Sequence, residues 1–309
     1  MPSQVSDESR TVEHALDVRH LAAAMELQSR SAEWNENEAD WGYMLASGQA
    51  WGISQGDGTL LASTVVLPYG EARGNDGFAW ISMVLVRPEH RRLGLASRLL
   101  KRAKAELARR RLTPILDATP AGRTVYVREG FRDTWGFTRY RRAARQSLAA
   151  ERREPSLPEE SPPGPAREIR PIAHADWPSI VALDGPAFGA SREHLLRALA
   201  ERLPEAALVA QTVGRIDGYL LGRDGRDASQ LGPLVARDVD TGRRLLDRAL
   251  AHLPGPLYID AVDRHQALRP WLSAAGFAIQ RPFTRMVYGL RDAPGDAATV
   301  VAVAGPELG

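Results

Sequence analysis

The sequence predicts a mixed α/β protein built from two related domains. Three observations carry this prediction: the length of 309 residues, a proline-rich segment near the middle, and an internal repeat. At about 100–200 residues per domain, a chain of this length divides into two. Proline at the density found in Glu154–Pro165 disfavours helix and central strand. We therefore expect a first domain over residues 1–153, a linker over 154–167 and a second domain over 168–309.

The two halves repeat each other along the sequence. Three separated motifs coincide at a common offset of 146 positions: Leu99-Leu100 with Leu245-Leu246, Gly130-Phe131 with Gly276-Phe277, and Phe137-Thr138-Arg139 with Phe283-Thr284-Arg285. Between them, Ile115-Leu116-Asp117-Ala118 resembles Tyr258-Ile259-Asp260-Ala261 at an offset of 143. A shared offset over separated motifs predicts a duplicated domain.

Alternating helix and strand patterns predict the mixed fold. Helical spacing of apolar residues favours helices over Val18–Ser29, Glu38–Ala46 and Ala96–Arg111. Apolar, β-branched and aromatic runs favour strands, namely Ala50–Ser54, Leu60–Leu67, Phe78–Val86, Thr113–Ala118 and Phe131–Tyr140. A further helix begins at Pro120, with Thr119 as its N-cap, and ends near Gly130. The Arg-rich residues 139–153 are predicted helical, and a new strand begins at Glu168.

Composition excludes several classes of protein. Cysteine is absent, so disulfides, thiolate metal sites and cysteine nucleophiles are excluded. Lys+Arg 40 nearly balances Asp+Glu 38, so charge alone does not indicate a nucleic-acid partner. The histidines lack metal-ligand spacing, and no apolar run reaches the roughly 18 residues of a membrane helix. We expect a cytoplasmic protein with no metal and no membrane partner.

The stretch most informative about chemistry is a strand that runs through a basic turn into a helix. The first N–H groups of a helix have no intrahelical partners, so they can hold a phosphate. Gly94 and Ala96 leave the backbone uncovered for a diphosphate, and Arg91 and Arg92 add positive charge. The residues of this turn and helix start that are expected to hold the ligand are Arg91, Arg92, Leu93, Gly94, Leu95, Ala96 and Ser97.

This stretch resembles the acyl-CoA-binding signature of the GCN5-related N-acetyltransferases (GNAT), Arg/Gln-x-x-Gly-x-Gly/Ala. Arg91, Gly94 and Ala96 fill that pattern here. The segment from Tyr126 to Phe131 resembles the family's Tyr-x-x-x-Gly-Phe segment. The resemblance implies two tandem GNAT-like domains, with acetyl-CoA or another acyl-CoA as co-substrate. The Walker A and dinucleotide-binding patterns are absent.

The resemblance also implies a reaction, the direct attack of an amine on a thioester. The strand that carries Val84, Leu85 and Val86 would bind the pantetheine arm through its backbone, and one of its N–H groups would stabilise the tetrahedral oxyanion. Tyr126 matches the family's frequent general acid, which protonates the departing thiolate. A core aromatic packing on the sheet is the alternative for Tyr126.

The acceptor side is less fully specified. Asp117 is the preferred general base, although it could equally brace the following loop. Trp34, Glu38, Trp41 and Trp80 are expected to line the acceptor pocket, with core packing and a solvated helix start as the alternatives. Thr119 stands where the family often has Asn, which leaves in doubt a hydrogen bond that an Asn would make.

The second copy is expected to have lost the chemistry. At the common offset, Gly94 falls on Asp240 and Tyr126 falls on Leu272. A carboxylate at that turn would repel phosphate, and the general acid that Tyr126 would supply is replaced by a leucine. We therefore expect a degenerate GNAT-like domain that does not bind CoA in the usual way.

The sequence predicts an N-acyltransferase that acts on a small-molecule amine, but other functions stay open. Basic runs such as Arg109–Arg111 and Arg139–Arg142 could contact the phosphates of an aminoacyl-tRNA donor. A non-catalytic metabolite-binding protein is a third possibility. The acceptor's identity and the choice between monomer and homodimer are undetermined.

Overall fold

Two units divide the chain, and each contains a segment from the other half of the sequence. The first unit comprises residues 1–136, 282–293 and 306–309, and the second comprises 137–281 and 294–305. This computed structural model describes residues 11–31, 34–70, 77–144 and 167–309. None of the helices in those ranges is long and apolar enough to cross a membrane.

These boundaries differ from the predicted ones. The prediction assigned residues 137–153 to the first domain and 282–293 and 306–309 to the second. In the structure each unit takes its last antiparallel strand from the other half of the sequence, because that strand covers the outer edge of the fifth strand. Residues 139–142 lie in a strand and not in the predicted helix. Residues 145–166, which include most of the predicted linker, lie outside the described residues, and Arg167 already begins a strand.

The first unit alternates strands and helices much as the sequence predicts. Its elements are β1 (Val12–Leu16), α1 (Leu21–Ser31), α2 (Glu38–Ser47), β2 (Gln49–Ser54), β3 (Leu60–Tyr69), β4 (Phe78–Val86), α3 (Leu95–Arg109), β5 (Thr113–Ala118) and α4 (Pro120–Arg128). The predicted cap is confirmed, because the Thr119 hydroxyl accepts the Gly122 N–H at 3.1 Å. Strand β1 was not predicted.

The sheet of the first unit is mixed. Strands β1 to β4 pair antiparallel in sequence order, and β4 then pairs parallel with β5. The outer edge of β5 pairs antiparallel with residues 284–287 of β12 (Ala278–Val287). Helix α3 packs its apolar stripe on one face, where the core includes Leu99, Leu100 and Leu107.

The second unit repeats this topology. Its elements are β7 (Arg167–Pro171), α5 (Trp177–Phe188), α6 (Glu193–Arg202), β8 (Leu208–Thr212), β9 (Arg215–Arg223), β10 (Ser229–Ala236), α7 (Val239–Leu250), β11 (Leu257–Val262), α8 (Leu268–Ala274) and β13 (Val300–Ala302). Strands β7 to β10 pair antiparallel, and β10 pairs parallel with β11. The outer edge of β11 pairs antiparallel with residues 137–142 of β6 (Arg132–Arg142).

Burial confirms the register of the duplication. Leu99, Leu100 and Ala103 on α3 are fully buried, and so are Leu245, Leu246 and Ala249 on α7, at the predicted offset of 146. Each unit also repeats a turn hydrogen bond, from the Phe131 N–H to the Tyr126 carbonyl and from the Phe277 N–H to the Leu272 carbonyl. The shared apolar pattern therefore produces the same helix packing twice.

In each unit, a buried ion pair links the fifth strand to the antiparallel strand beside it. In the first unit, Nε and Nη2 of Arg285 donate to the two carboxylate oxygens of Asp117 at 3.0 and 2.9 Å. In the second, Arg139 makes the same two-bond contact with Asp260 at 2.8 and 2.7 Å. Both arginines come from the repeated Phe-Thr-Arg motif, so each exchanged strand carries the cation that neutralises the carboxylate on the fifth strand.

Replacement of Arg285 should therefore destabilise the first unit. We expect Arg285→Met to lower the free energy of unfolding by about 3–5 kcal/mol, because Asp117 is left buried and unpaired. Urea unfolding monitored by circular dichroism measures the change. Arg123→Met, at the exposed pair with Asp133, should cost only about 0–1 kcal/mol. Equal losses in the two variants would contradict a special role for the buried pair.

Candidate active site

The first unit has a cleft between two parallel strands. Strands β4 and β5 pair only where Phe78 to Trp80 face Thr113 to Ile115. Beyond that point β5 continues its pairing with β12, on its other side. Among the described residues, no other strand pairs with this edge of Ile81–Val86. The last part of β4 therefore presents a strand edge to the cleft.

A β-bulge reshapes β4 along this edge. Ser63 faces Leu85 but Val65 faces Ser82, so β4 has one extra residue opposite Thr64. Met83 has φ +48°, a left-handed conformation that is rare outside glycine. The Ser63 hydroxyl donates to the Met83 carbonyl at 2.8 Å and holds the bulge. A bulge of this kind bends the strand and redirects its peptide groups. No pattern in the sequence indicated it.

At the end of β4, the basic turn leads into an uncapped helix. Residues 91–94 are exposed, and Gly94 takes φ +80° immediately before α3. A Cβ at Gly94 would have no heavy atom within 4 Å, so the backbone there is open to a ligand. No side chain caps α3, which leaves the N–H groups of its first residues (Leu95, Ala96 and Ser97) for an anion.

Two arginines tie this turn to neighbouring elements. Arg87 is buried and donates from Nε to the Leu60 carbonyl at 2.8 Å and from Nη2 to Glu26 at 3.0 Å. Sequence reasoning missed this support. Arg91 is exposed, and its Nη2 donates to the carbonyl of Ser31, the last residue of α1, at 2.6 Å. A ligand phosphate would therefore meet Arg91 already oriented by a neighbouring helix.

Tyr126 lies on the apolar face that also carries the end of β4. Its ring packs edge-on against Phe131 at 6.2 Å between centroids. Tyr126, Val84 and Val86 all pack against the same core cluster. Burial raises the pKa of Tyr126 to about 12. No group in the described part of the chain hydrogen-bonds to its hydroxyl, which keeps the proton available for a ligand.

The structure gives Asp117 a bracing role. Both carboxylate oxygens accept hydrogen bonds from Arg285, and the side chain is buried. A carboxylate held in this way is engaged with a permanent cation, so it is poorly suited to accept a proton from an amine. The geometry therefore argues against the expected general base and for the alternative.

The residues that were predicted to line the acceptor pocket have different environments in the structure. Trp41 is fully buried and donates its indole N–H to Gln28 at 2.6 Å, so it is a core residue and not a pocket wall. Glu38 is exposed in the first turn of α2, where the helix dipole favours an acid. Trp34 lies near Phe283, with ring centroids 6.3 Å apart.

Trp80 is the predicted acceptor residue that lies at the apex of the cleft. The Arg285 guanidinium stacks on the Trp80 ring at 4.3 Å and on the Trp135 ring at 4.1 Å. Its neighbours Ala79 and Ile81 face the apolar core under α3. Since side chains alternate along a strand, Trp80 lies on the opposite face, as Asp117 does between Leu116 and Ala118. Trp80 is itself only 1% exposed, so at this point the polar and aromatic face is buried and Trp80, like Trp41, is packed inside the unit.

The corresponding cleft of the second unit is filled by the chain itself. Strands β10 and β11 pair only from Ser229 to Leu231, and β13 then lies between them. The Val303 N–H donates to the Asp260 carbonyl and the Ala236 N–H to the Thr299 carbonyl, both at 3.0 Å. The strand edge that has no strand partner in the described part of the first unit is thus hydrogen-bonded to β13 and its neighbours in the second.

The second helix start is also closed to an anion. Only Arg237 and Asp238 separate β10 from α7, where the first unit has residues 87–94. The Asp238 carboxylate caps α7 by accepting the Thr241 N–H at 2.7 Å. Asp240 lies in the first turn and pairs with Arg243 and Arg244. Two carboxylates therefore stand at the helix start where the first unit has none.

Comparisons with known proteins agree with this architecture. A model described as the Acetyltransferase (GNAT) family matches residues 15–131, and one described as an Acetyltransferase (GNAT) domain matches residues 180–302. The chain has no sequence match among curated proteins.

Solved structures of similar fold cover nearly the whole chain. A putative acetyltransferase from Pyrococcus horikoshii has a TM-score of 0.74 at 15% identity, and the alignment covers 100% of this chain and 99% of that protein's chain. A GCN5-related N-acetyltransferase from Sphaerobacter thermophilus has a TM-score of 0.62 at 16% identity and covers 95% and 100%. A tandem GNAT protein from the clavulanic acid biosynthesis pathway has a TM-score of 0.61 at 15% identity and covers 92% and 100%.

Because only the cleft of the first unit is not filled by another strand, we predict one donor site per chain. We expect calorimetry to show acetyl-CoA binding at a single site, and Gly94→Asp to weaken it by about tenfold or more, equivalent to ~1.4 kcal/mol. The substitution adds a carboxylate beside the helix N–H groups. Gly94→Asn is the matched control, since Asn is similar in size, uncharged and tolerant of left-handed φ. Two binding sites, or equal losses in both variants, would contradict the assignment.

Proposed function

We propose that this chain, which belongs to the GCN5-related N-acetyltransferase superfamily as a tandem N-acetyltransferase, transfers an acyl group from acyl-CoA to the amine of a small molecule. Acetyl-CoA is the proposed donor. The new C–N bond forms as the amine attacks the thioester carbonyl, and the C–S bond breaks to release the CoA thiol.

One observation carries the donor assignment: the edge of β4 at residues 81–86, which pairs with no other strand of the described residues, leads directly to the uncapped start of α3. A ligand with an extended amide-bearing arm and a diphosphate needs a strand edge followed by an anion site. In the first unit, residues 81–86 supply the edge, and Gly94 opens the backbone at the helix start. Arg92 and Arg91 add charge beside it. The second unit offers neither feature, which supports a single active site in the first unit.

Tyr126 is the proposed proton donor to the leaving thiolate. With a pKa of about 12, its phenol stays protonated throughout the physiological range. Tyr126 packs against the same apolar cluster as Val84 and Val86. The expected N–H donor to the oxyanion comes from the strand beside the bulge at Met83, where the ladder is interrupted.

The acceptor is proposed to enter on the opposite face, where Trp135 is partly exposed and Trp80 is buried. The α3 face is filled by apolar core, whereas the other face carries Trp80, Trp135 and the Arg285–Asp117 pair. Aromatic walls with few polar groups are typical of sites for small molecules.

The basic runs do not support an aminoacyl-tRNA donor. Arg139 and Arg142 are buried, with Arg139 paired to Asp260 and Arg142 donating to the Leu253 carbonyl at 2.5 Å. Arg109 pairs with Glu106. Arg139 and Arg142 are engaged within their own unit, so they are poorly placed to form a phosphate-binding surface, whereas Arg109 is largely exposed.

Removal of the Tyr126 hydroxyl tests the proposed chemistry. We expect Tyr126→Phe to lower kcat by about 10²-fold or more, since a positioned general acid contributes about that much. The Kd for acetyl-CoA should stay within twofold, since the ring and its contact with Phe131 are kept. Release of the CoA thiol in the presence of amines measures kcat. An unchanged kcat would refute the assignment of Tyr126.

The pH dependence gives a second test. Because burial raises the pKa of Tyr126 to about 12, the protonated acid persists well above neutrality. The wild type should therefore show no loss of kcat attributable to Tyr126 between pH 7 and about pH 10. An alkaline limb below pH 10 that disappears in Tyr126→Phe would show that the phenol ionises earlier than its burial predicts.

A further inference from the structure

Helix α4, which carries Tyr126, has little apolar packing of its own. None of its residues 120–128, all of which lie in the described part of the chain, is fully buried. Val125 and Tyr126 pack against the core cluster of the first unit, but both are only partly buried. Burial of an apolar face is the usual way in which a helix is fixed on a sheet. The position of α4, and with it that of the Tyr126 side chain, therefore depends on other contacts.

Lys104 of α3 supplies such a contact at the end of α4. Its Nζ donates to the Glu129 carbonyl at 2.8 Å and to a Glu129 carboxylate oxygen at 3.1 Å. Glu129 is the residue at which α4 ends, and it lies one helical turn after Tyr126. The Glu129 N–H donates to the Tyr126 carbonyl at 3.1 Å. The lysine is therefore bonded to the same turn of chain that carries the tyrosine.

The Lys104–Glu129 ion pair is shielded from water. The two side chains are 17% and 11% exposed. Although burial acts to raise the pKa of Glu129, hydrogen bonds from Lys104 and Ser97 lower it below its ordinary value, so the carboxylate is ionised at neutral pH. The ammonium also lies over the Tyr288 ring, 5.0 Å from its centroid, and that ring lies 5.6 Å from the ring of Phe131. Charge-assisted hydrogen bonds between shielded groups are strong and directional, so this pair can fix a helix end.

The second unit holds its corresponding helix in a different way. Helix α8 buries Leu268, Trp271 and Leu272, and Leu272 stands at the position of Tyr126. The Trp271 indole N–H donates to Asp247 of α7 at 3.1 Å. Apolar side chains thus attach α8 to its unit, whereas α4 has a polar clamp at its end.

The ion pair itself is absent from the second unit. At the common offset of 146, Lys104 falls on Leu250 and Glu129 falls on Ala275. Leu250 and Ala275 both pack against the apolar core of the second unit. The fold can therefore be built with apolar residues at these two positions. The ion pair on the fifth strand, by contrast, recurs in both units. A pair that occurs only in the copy with the tyrosine points to a role in the chemistry of that copy.

We propose that Lys104 is a positioning residue, which holds the end of α4 through Glu129 and so places the Tyr126 hydroxyl for proton transfer to the leaving thiolate. The inference rests on the proposed function, in which Tyr126 is the proton donor. Lys104 takes no part in the proton transfer itself. Burial alone accounts for the raised pKa of Tyr126, so the lysine acts on the geometry of the acid and not on its acidity.

The test gives the first unit the residues of the second. Lys104→Leu is combined with Glu129→Ala, so that both charges are removed and no unpaired ion is left. The same double change is made in the Tyr126→Phe variant. Arg109→Leu is the matched control, because Arg109 pairs with Glu106 on the same helix and is 71% exposed. Lys104→Arg tests rescue, since it keeps the cation.

Thiol release from acetyl-CoA gives kcat and KM, with the best acceptor among methylamine, butylamine and benzylamine. Where none of these amines is accepted, thiol release by hydrolysis is measured, since hydrolysis expels the same thiolate. Calorimetry gives the Kd for acetyl-CoA and the number of sites, so that kcat refers to folded protein.

We expect the double variant to lower kcat by about tenfold, since misplacement of a catalytic group by about 1 Å can cost about 10²-fold. The Kd for acetyl-CoA should stay within about twofold, because the turn and the start of α3 are kept. Lys104→Arg should recover most of the loss, and Arg109→Leu should leave kcat unchanged. In Tyr126→Phe the double change should lower kcat by less than about twofold further, because a positioning residue loses its effect once the group it positions is gone.

A wild-type kcat in the double variant, or an equal loss of kcat with and without the Tyr126 hydroxyl, would overturn the positioning role. A loss confined to the Kd for acetyl-CoA would overturn it as well and assign the pair to the donor site. A wild type that does not bind acetyl-CoA, or a Tyr126→Phe variant with the kcat of the wild type, would instead overturn the proposed function of the site, and the positioning role with it. If the double variant does not fold, Lys104→Met, which keeps the length of the side chain, is compared in the same two backgrounds.

Discussion

A carboxylate on the fifth strand of each unit is neutralised by an arginine from a strand that the sequence places in the other half. Asp117 meets Arg285, and Asp260 meets Arg139, each through two hydrogen bonds between buried groups. A buried ion pair adds little net stability over apolar packing, but a missing partner is costly. The pair therefore fixes the register of the exchanged strand. In the first unit it also places the guanidinium against the rings of Trp80 and Trp135, so the packing of these aromatic side chains depends on it.

The same framework leads to opposite results in the two clefts. A parallel pair of strands that separates after a few residues leaves backbone groups that need partners. In the first unit these groups face the gap between β4 and β5, and β4 then leads to a helix without a side-chain cap. In the second, β13 supplies the missing hydrogen bonds and Asp238 caps the helix. The presence of the ion pair in both units, including the one whose cleft is filled, identifies it as part of the framework and not of the chemistry.

Sequence reasoning succeeded where the cause is local. The exact bounds of β4 and β5, the Thr119 cap and the apolar stripe of α3 follow from residue types within a few positions of each other. It failed where the cause is distant. Trp41 and Trp80 are similar in sequence terms, yet one packs in the core on Gln28 and the other marks the cleft. The bulge at Met83 depends on Ser63 in another strand.

The sequence by itself determined the duplicated mixed fold, the basic turn at Arg91–Gly94 and the loss of that turn in the second half, because each depends on short-range patterns and their repetition. Only the tertiary structure decided the exchange of β6 and β12, the filling of the second cleft by β13 and the burial of residues 306–309 beside Trp80. These features join residues as far apart as Asp117 and Arg285, 168 positions along the chain. All strands compete for hydrogen bonds and burial, and this competition determines which distant strand pairs with an open edge. A local sequence pattern therefore does not predict the pairing.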